Sequence, residues 1–433
     1  MSTKWNNKVK KISCIGAGYV GGPTMAVIAD KCPHIKVVVL DINKIRIDSW
    51  NSIDYEDLPV FEPGLKEIIS RTRNKNLFFS TNVEENLSDS DIVFLSVNTP
   101  TKTAGIGSGQ ASDLRWIEKC ARQVARYSLN HTIVVEKSTL PVKTAQTIKT
   151  ILKASSDNQK SFSVLSNPEF LAEGSAINDL TNPDRVLIGG EDYLSIESLV
   201  SVYRNWIDEN KIIKTNLWSS ELSKLTANAF LAQRISSINS VAAICEETGA
   251  NINEVSLAIG SDSRIGGKFL KAGPGFGGSC FKKDLLNLVY LSRHFGLEEV
   301  ANYWESVVSL NSWNQNRISE IVVKKLFGTL AGKKIVILGF SFKANTNDTR
   351  ESSAITISRN LLIEGADLKI HDPKVSSKQI ELELTHSKNK LGSFENEDLK
   401  NGSWEKIDNL YDSLIGADAI IAVTEWEEYS NLD

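Results

Sequence analysis

A glycine-rich turn with an acidic residue downstream restricts this chain more than any other feature. Lys10 to Ile15 reads as a short buried strand, and Gly16-Ala17-Gly18-Tyr19-Val20-Gly21 follows it directly. A helical stretch to about Ala29 comes next, and a β-branched run, Val37 to Leu40, ends at Asp41. GxGxxG alone is weak evidence. Between a strand and a helix, with a carboxylate about twenty residues further on, it is the signature of a dinucleotide-binding turn. Gly16 allows the tight turn, Gly18 lets a pyrophosphate reach the helix N-terminus, and Gly21 allows close helix–strand packing. Asp41 would accept hydrogen bonds from the ribose hydroxyls and repel a 2′-phosphate, which favours NAD over NADP. Arg46 counts the other way, because a nearby arginine accepts a phosphate.

Further strand signals are Ile92 to Val97, Thr132 to Val135, Phe162 to Leu165, Val186 to Ile188 and Ile212 to Lys214, with helical patterns such as Leu114 to Tyr127 and Val142 to Lys153 between them. This alternation predicts a parallel, doubly wound sheet. From Ser220 to about Thr248 the pattern is helical throughout, with Leu222, Leu225, Ala229, Ala232 and Ile235 at helical spacing. Such a helix serves as core or as a subunit interface. More helix follows at Asp284 to His294 and Val300 to Phe327. Strand–helix alternation then restarts, with strands at Lys334 to Gly339, Leu368 to His371 and Ala419 to Val423 and a helix at Ser352 to Glu364. The expected fold class is α/β: two Rossmann-like doubly wound parallel-sheet domains joined by a long central helix and a helical middle region. The expected boundaries are 1–218, 219–328 and 329–433. The polar run 376–409 is expected to contain surface loop, and Ser52 to Leu58 reads as a lengthened one.

The formal net charge of −4 gives no electrostatic case for nucleic acid. Five scattered cysteines, odd in number and without CxxC spacing, argue against a disulfide framework and against a metal site, and for a reducing compartment. Met1 to Lys11 has no apolar core and reads as no signal peptide. No apolar run reaches the ~18 residues of a membrane span. The expectation is a cytoplasmic protein with no membrane and no nucleic-acid partner.

Three strand ends carry polar runs: Val97-Asn98-Thr99-Pro100-Thr101, Glu136-Lys137-Ser138-Thr139-Leu140-Pro141, and Ser166 to Gly174. Strand ends in such a sheet face the ligand crevice. Each run alone is ordinary turn chemistry; three at successive strand ends point to a site. Further on, Gly273-Pro274-Gly275-Phe276-Gly277-Gly278-Ser279-Cys280 crowds four glycines ahead of one cysteine, and Asp284 follows at i+4, one helical turn away. A free cysteine is by default an inert buried thiol. The glycines, which let a backbone approach a ligand closely, favour a thiolate that attacks a bound carbonyl. With a hydride acceptor, such a thiol can carry an alcohol through an aldehyde and a thioester to an acid. Lys224 and Asn228, at i and i+4 of the long helix, share a face; on spacing alone a solvated pair is the simpler reading.

Together these motifs resemble the nucleotide-sugar dehydrogenase family. The resemblance is carried by Gly16 to Pro23, Val97 to Lys102, Glu136 to Thr139, Asn167 to Gly174, Trp218 to Lys224, Gly275 to Cys280, Gly339 to Lys343 and Asp348 to Ser352, in family order. Ser279 to Asp284 and Ala229 to Arg234 look like the branch that acts on UDP-glucose. GDP-mannose stays open, because its branch shares much of the cysteine loop, and the UDP-N-acetylmannosamine branch fits less well.

The resemblance implies four-electron oxidation of UDP-glucose to UDP-glucuronate with NAD. Cys280 would capture the C6 aldehyde as a thiohemiacetal that is oxidised to a thioester. Lys224 and Asp284 would serve the first oxidation with an ordered water, Asn228 would support the oxyanion, and Glu169 would assist thioester hydrolysis through a water that Thr139 helps place. It assigns NAD to Gly16, Gly18, Tyr19, Val20, Gly21, Asp41, Arg46, Val97, Asn98, Thr99, Pro100, Thr101, Ser138, Thr139, Leu140, Glu173, Lys283 and Arg350. Sugar and uracil would meet Glu169, Phe170, Leu171, Ala172, Glu173, Lys224, Asn228, Lys271, Gly275, Phe276, Gly277, Phe342 and Lys343. Arg264 resembles an arginine that reaches a neighbouring subunit's substrate, so a homo-oligomer, a dimer or a dimer-built hexamer, is expected. The chain stops soon after Thr424-Glu425-Trp426, where relatives usually continue to another strand, so the second sheet is expected to lack one. Two other readings remain: a two-electron hydroxyacid-type dehydrogenase with Lys224 as base, and a non-catalytic subunit that binds NAD and nucleotide sugar.

Overall fold

The structure, a computed structural model, describes residues 8–155, 160–385 and 402–432; of the polar run 376–409, expected to contain surface loop, Ser377–Thr385 is helix and Ser403–Lys406 is strand, and 386–401 lie outside the described residues. The chain forms two compact units that meet in sequence at Ala227 and Asn228.

The first unit holds an eight-stranded sheet: β1 (Lys11–Ile15), β2 (Lys36–Leu40), β3 (Leu77–Ser80), β4 (Ile92–Leu95), β5 (Thr132–Glu136), β6 (Phe162–Ser166), β7 (Val186–Gly189) and β8 (Ile212–Thr215). The order is β3-β2-β1-β4-β5-β6-β7-β8, and the first six reproduce the doubly wound dinucleotide-binding arrangement. Strand periodicity divides the apolar residues between two cores. Ile12, Cys14, Val37, Val39, Ile92 and Phe94 face one layer of helices, while Ile15, Val38, Leu40, Val93 and Leu95 face the other. With both faces covered, the central strands are apolar without alternation.

The sheet departs from the all-parallel expectation at one seam. β6 meets β7 antiparallel, through the single pair Ser166–Gly189, and β7 and β8 run parallel to each other. The intervening helix, Ala176–Thr181, is too short for a full crossover unit. An apolar strand reads the same in either direction, so composition carries no sign of this reversal. β3 was not among the expected strands, having only four residues, Leu77-Phe78-Phe79-Ser80. The stretch expected as loop at Ser52 to Leu58 contains a short 3-10 turn, Tyr55–Asp57.

A helix of 32 residues, Leu217–Thr248, begins in the first unit and continues into the second. Leu225, Ala229, Ala232 and Ile238 on it are buried, while Leu222, Phe230 and Ile244 are exposed. The second unit adds helices Phe281–His294 and Glu298–Lys325 and a four-stranded parallel sheet. Its strands are β9 (Lys334–Leu338), β10 (Asp367–His371), β11 (Ser403–Lys406) and β12 (Ala419–Ala422), in the order β11-β10-β9-β12. This order matches β3-β2-β1-β4, and the likeness extends to the turns. Gly16 (φ +113°) follows β1 and Gly339 (φ +90°) follows β9. Asp41 after β2 accepts the Ala17 N–H at 3.0 Å, and Asp372 after β10 accepts the N–H groups of Phe340 and Ser341 at 2.7 and 3.0 Å. Among the described residues, no helix is long and apolar enough to cross a membrane and no group of acidic, histidine or cysteine side chains is arranged to hold a metal.

Candidate active site

The dinucleotide turn lies at the carboxyl end of β1, beside the end of β4. A Cβ at Gly16 would sit 2.3 Å from the Ser96 carbonyl oxygen, and one at Gly21 would sit 2.0 Å from the Gly16 carbonyl oxygen. Both glycines are therefore required by the protein's own packing. A Cβ at Gly18 would meet no protein atom within 4 Å. Glycine at 18 is not needed by the fold, and the space beside it is where the free N–H groups of helix Gly21–Lys31 favour a phosphate. Trp50 backs the turn: its Nε1 donates to the Ala17 carbonyl at 3.0 Å, and its ring stacks on Phe79. Asp41 accepts the N–H groups of Ala17 and Asn43 and pairs with Arg46 at 3.1 Å. Arg46 thus already faces the carboxylate that would bind a ribose, so the residues present fit NAD.

The polar strand ends gather around this crevice. The Thr99 hydroxyl donates to the Thr139 carbonyl at 3.2 Å and the Ser138 hydroxyl to the Val97 carbonyl at 2.7 Å, which ties the ends of β4 and β5 together. The loop after β6 is tied to the glycine turn by Glu62, which the sequence did not single out. Its buried carboxylate accepts the N–H groups of Gly174 (2.6 Å) and Ala176 (2.9 Å) and the Tyr19 hydroxyl. Glu169 is held at three points: Oε1 accepts the N–H groups of Phe170 (2.8 Å) and Leu171 (3.0 Å), and Oε2 lies 2.8 Å from the Lys137 ammonium. Burial alone would push Glu169 up, but the Lys137 charge prevails and holds it below the usual carboxylate range. Two cations lie over the Phe170 ring, the Arg185 guanidinium 3.9 Å and the Lys224 ammonium 5.2 Å from its centroid.

Lys224 and Asn228 are both buried, so the solvated-pair reading of their spacing is overturned. The helix carries them on an inward face, where packing rather than i,i+4 spacing decides exposure. In the second unit the Asn228 amide donates to Asp284 Oδ2 at 2.6 Å, and the Asp284 side chain is buried. Cys280 stands immediately before helix Phe281–His294 and its carbonyl accepts the Asp284 N–H. It is the exposed cysteine; Cys14, Cys32, Cys120 and Cys245 are buried. Burial pushes the thiols of Cys32 and Cys120 up to about 12, so these are not nucleophiles.

Most glycines ahead of Cys280 serve the protein rather than a ligand, contrary to the expectation from sequence. A Cβ at Gly275 would lie 2.6 Å from Asn311 Oδ1, one at Gly277 2.5 Å from the Glu351 carbonyl oxygen, and one at Gly278 2.9 Å from the Phe342 ring. The loop is clamped by asparagines that sequence reasoning missed. Asn311 accepts the Phe276 N–H and donates to its carbonyl, Asn314 donates to the Gly273 carbonyl, and Asn239 accepts the Gly273 N–H. Their only sequence signal is a polar residue on a buried helix face. Phe342 is thus a wall of the cysteine loop, with the Lys343 ammonium 5.6 Å from its ring. Arg350 pairs with Asp348 at 2.6 Å, and its carbonyl accepts the Gly278 N–H. Lys271 pairs with Glu425, Lys283 lies 3.8 Å from Asp284, and Arg264 is exposed and paired with Asp262. Arg234 carries the Arg264 segment, donating to the carbonyls of Ile265, Gly266 and Lys268.

Three family models match along the chain: the NAD binding domain of the UDP-glucose/GDP-mannose dehydrogenase family at residues 10–207, its central domain at 218–313 and its UDP binding domain at 336–433. The chain belongs to the UDP-glucose/GDP-mannose dehydrogenase family. Within this family it is 53% identical over 430 residues to UDP-glucose 6-dehydrogenase of Bos taurus, spanning 98% of this chain and 85% of that one. It is 53% identical over 435 residues to UDP-glucose 6-dehydrogenase 4 of Arabidopsis thaliana, spanning 98% and 89%. Among solved structures, a UDP-glucose dehydrogenase from the archaeon Pyrobaculum islandicum superposes with a TM-score of 0.86 at 30% identity, covering 99% of this chain and 92% of that one. The cofactor of this family domain is NAD, which agrees with the Asp41 carboxylate after β2.

Proposed function

We propose that this chain oxidises UDP-glucose to UDP-glucuronate, a four-electron reaction that consumes two NAD and one water. The observation that carries the reading is Cys280: an exposed thiol at a helix start, one turn from a buried Asp284 that Asn228 holds. NAD supplies the acceptor for the hydride lost at each oxidation, against the turn Gly16, Gly18 and Gly21. Lys224 stabilises the alkoxide formed as the C6 hydroxyl loses its proton, with Asp284 handling that proton through water. The Cys280 thiolate adds to the C6 aldehyde, splitting the second oxidation from hydrolysis through a covalent intermediate. Asn228 donates to the oxyanion. Glu169 orients the hydrolytic water, with Thr139 beside it. Phe170, with two cations over its ring, and Phe276, Phe342 and Lys343 contribute to substrate binding, as do Leu171, Ala172, Glu173, Lys271, Gly275 and Gly277.

In this reading the chain serves as an NAD-binding part to about residue 218, a central part to about 328 and a sugar-nucleotide-binding part beyond. Exposed Leu222, Phe230 and Ile244 on the long helix, with exposed Arg264, support a homo-oligomer. Reduced, unpaired cysteines support the cytoplasm. The test is NADH released per UDP-glucose consumed, with GDP-mannose beside it and with Cys280→Ser. Two NADH per UDP-glucose, with acid formation lost in Cys280→Ser, is the expected outcome. A single NADH, or a Cys280→Ser protein that makes UDP-glucuronate at the unsubstituted rate, refutes it.

A further inference from the structure

We propose that Lys137 is a positioning residue for the hydrolytic half of the reaction, holding the Glu169 carboxylate in the orientation in which it directs the hydrolytic water. The proposal rests on the role given to Glu169 above. Lys137 is the first residue past β5 and only 3% exposed. Its ammonium lies 2.8 Å from Glu169 Oε2 and donates to Asn167 Oδ1 at 3.2 Å. The Tyr203 hydroxyl donates to the same Oδ1 at 2.6 Å, and the Asn167 amide donates to the Leu187 carbonyl at 2.8 Å. Two backbone N–H groups satisfy Oε1, and the ammonium lies beside the buried Oε2.

A buried ion pair does little for stability, because desolvation consumes what the attraction supplies, and an apolar pair of equal volume would hold the fold as well. The pair therefore needs another reason, and the loop it anchors provides one. Glu169 is followed at once by Phe170 to Glu173, so any movement of its carboxylate moves the loop proposed to hold the sugar. Burial drives Lys137 toward its neutral form, yet the Glu169 charge and the Tyr203 hydroxyl outweigh burial and keep it charged. The other charged and titratable groups facing Glu169 are Lys224, whose ammonium also favours the carboxylate, and Tyr203; Arg185 reaches only the Phe170 ring.

The test is a kcat pH profile of the NADH-producing reaction with UDP-glucose for the full chain and for Lys137→Met, Lys137→Arg and Glu169→Gln. Loss of a cation in contact with a carboxylate raises its titration by about 1–3 units, so the acid limb of Lys137→Met should move up by about that much. Lys137→Arg should restore most of the profile. A folded Lys137→Met protein whose profile superimposes on the original overturns the proposal. If Lys137→Met does not fold, because it leaves a buried charge unpaired, the double variant Lys137→Met/Glu169→Gln removes both charges. Its kcat should equal that of Glu169→Gln alone; a further loss of about tenfold or more, the mark of independent action, overturns the proposal. A Glu169→Gln protein that turns over at the full rate instead refutes the role of Glu169 itself, and so separates failure of that reading from failure of this one.

Discussion

Gly18→Ala and Gly21→Ala should have opposite consequences, although both remove a glycine from the same turn. At Gly21 the new methyl would lie 2.0 Å from the Gly16 carbonyl oxygen and 3.2 Å from Cys14 Sγ. The near atom is backbone and cannot swing aside, so the helix must retreat from the strand by about an ångström. Overpacking of this kind costs about 3 kcal/mol, the upper part of the usual range. In a unit of this size that lowers the melting temperature by about 6–12 °C. At Gly18 the methyl meets nothing within 4 Å, and the backbone there is not left-handed. Stability should hold or rise by up to about 1 kcal/mol, because alanine narrows the unfolded ensemble. The same methyl occupies the space of a pyrophosphate, and NADH affinity should fall by about 100-fold, or about 2.8 kcal/mol. Thermal melts by circular dichroism and NADH fluorescence titrations measure the two effects separately. A Gly18→Ala protein that binds NADH normally refutes the cradle. One that melts as early as Gly21→Ala refutes the packing account.

Two further predictions concern buried carboxyls. Burial and the neighbouring Glu221, which already accepts the N–H groups of Lys143 and Ala145 at 2.8 Å, raise Glu136 well above the usual carboxylate range. A group raised on folding contributes stability that is complete below its unfolded value and lost as pH rises through its folded value. Glu136→Gln, neutral at every pH, should therefore gain in melting temperature over the unsubstituted chain as pH goes from about 5 to about 9; a gap that stays constant contradicts the upward shift of Glu136. Asp372 accepts from Phe340, Ser341, Lys374, Val375 and Trp426 inside the second unit. Asp372→Ala orphans several buried donors at about 1–3 kcal/mol each, so the second unit should melt early, with a change in tryptophan fluorescence. Unchanged melting would mean that the donors find water.

Local features of the chain were readable because they depend on neighbours in sequence. The strand–turn–helix around Gly16 to Gly21, the carboxylate at Asp41 and the helix that follows the cysteine loop each follow from spacing and chemistry within a few residues. The loop after β6 was recognisable as polar, but its anchor, Glu62, lies 112 residues from Gly174 in the chain, and no local pattern marks it. The same holds for Asn311, which closes on Phe276 across 35 residues, and for the Lys224–Asn228 face. Spacing states that two side chains share a helix face, and packing alone states whether that face meets water.

The family and the cofactor were contained in the order of the residues, since motif chemistry survives unfolding on paper. The reversal of direction between β6 and β7, the burial of Lys224, the upward shift of Glu136 and the contact of Lys137 with Glu169 were not. Each depends on which distant groups burial brings together, because desolvation and contact, not residue type, set the charge and the reach of a side chain.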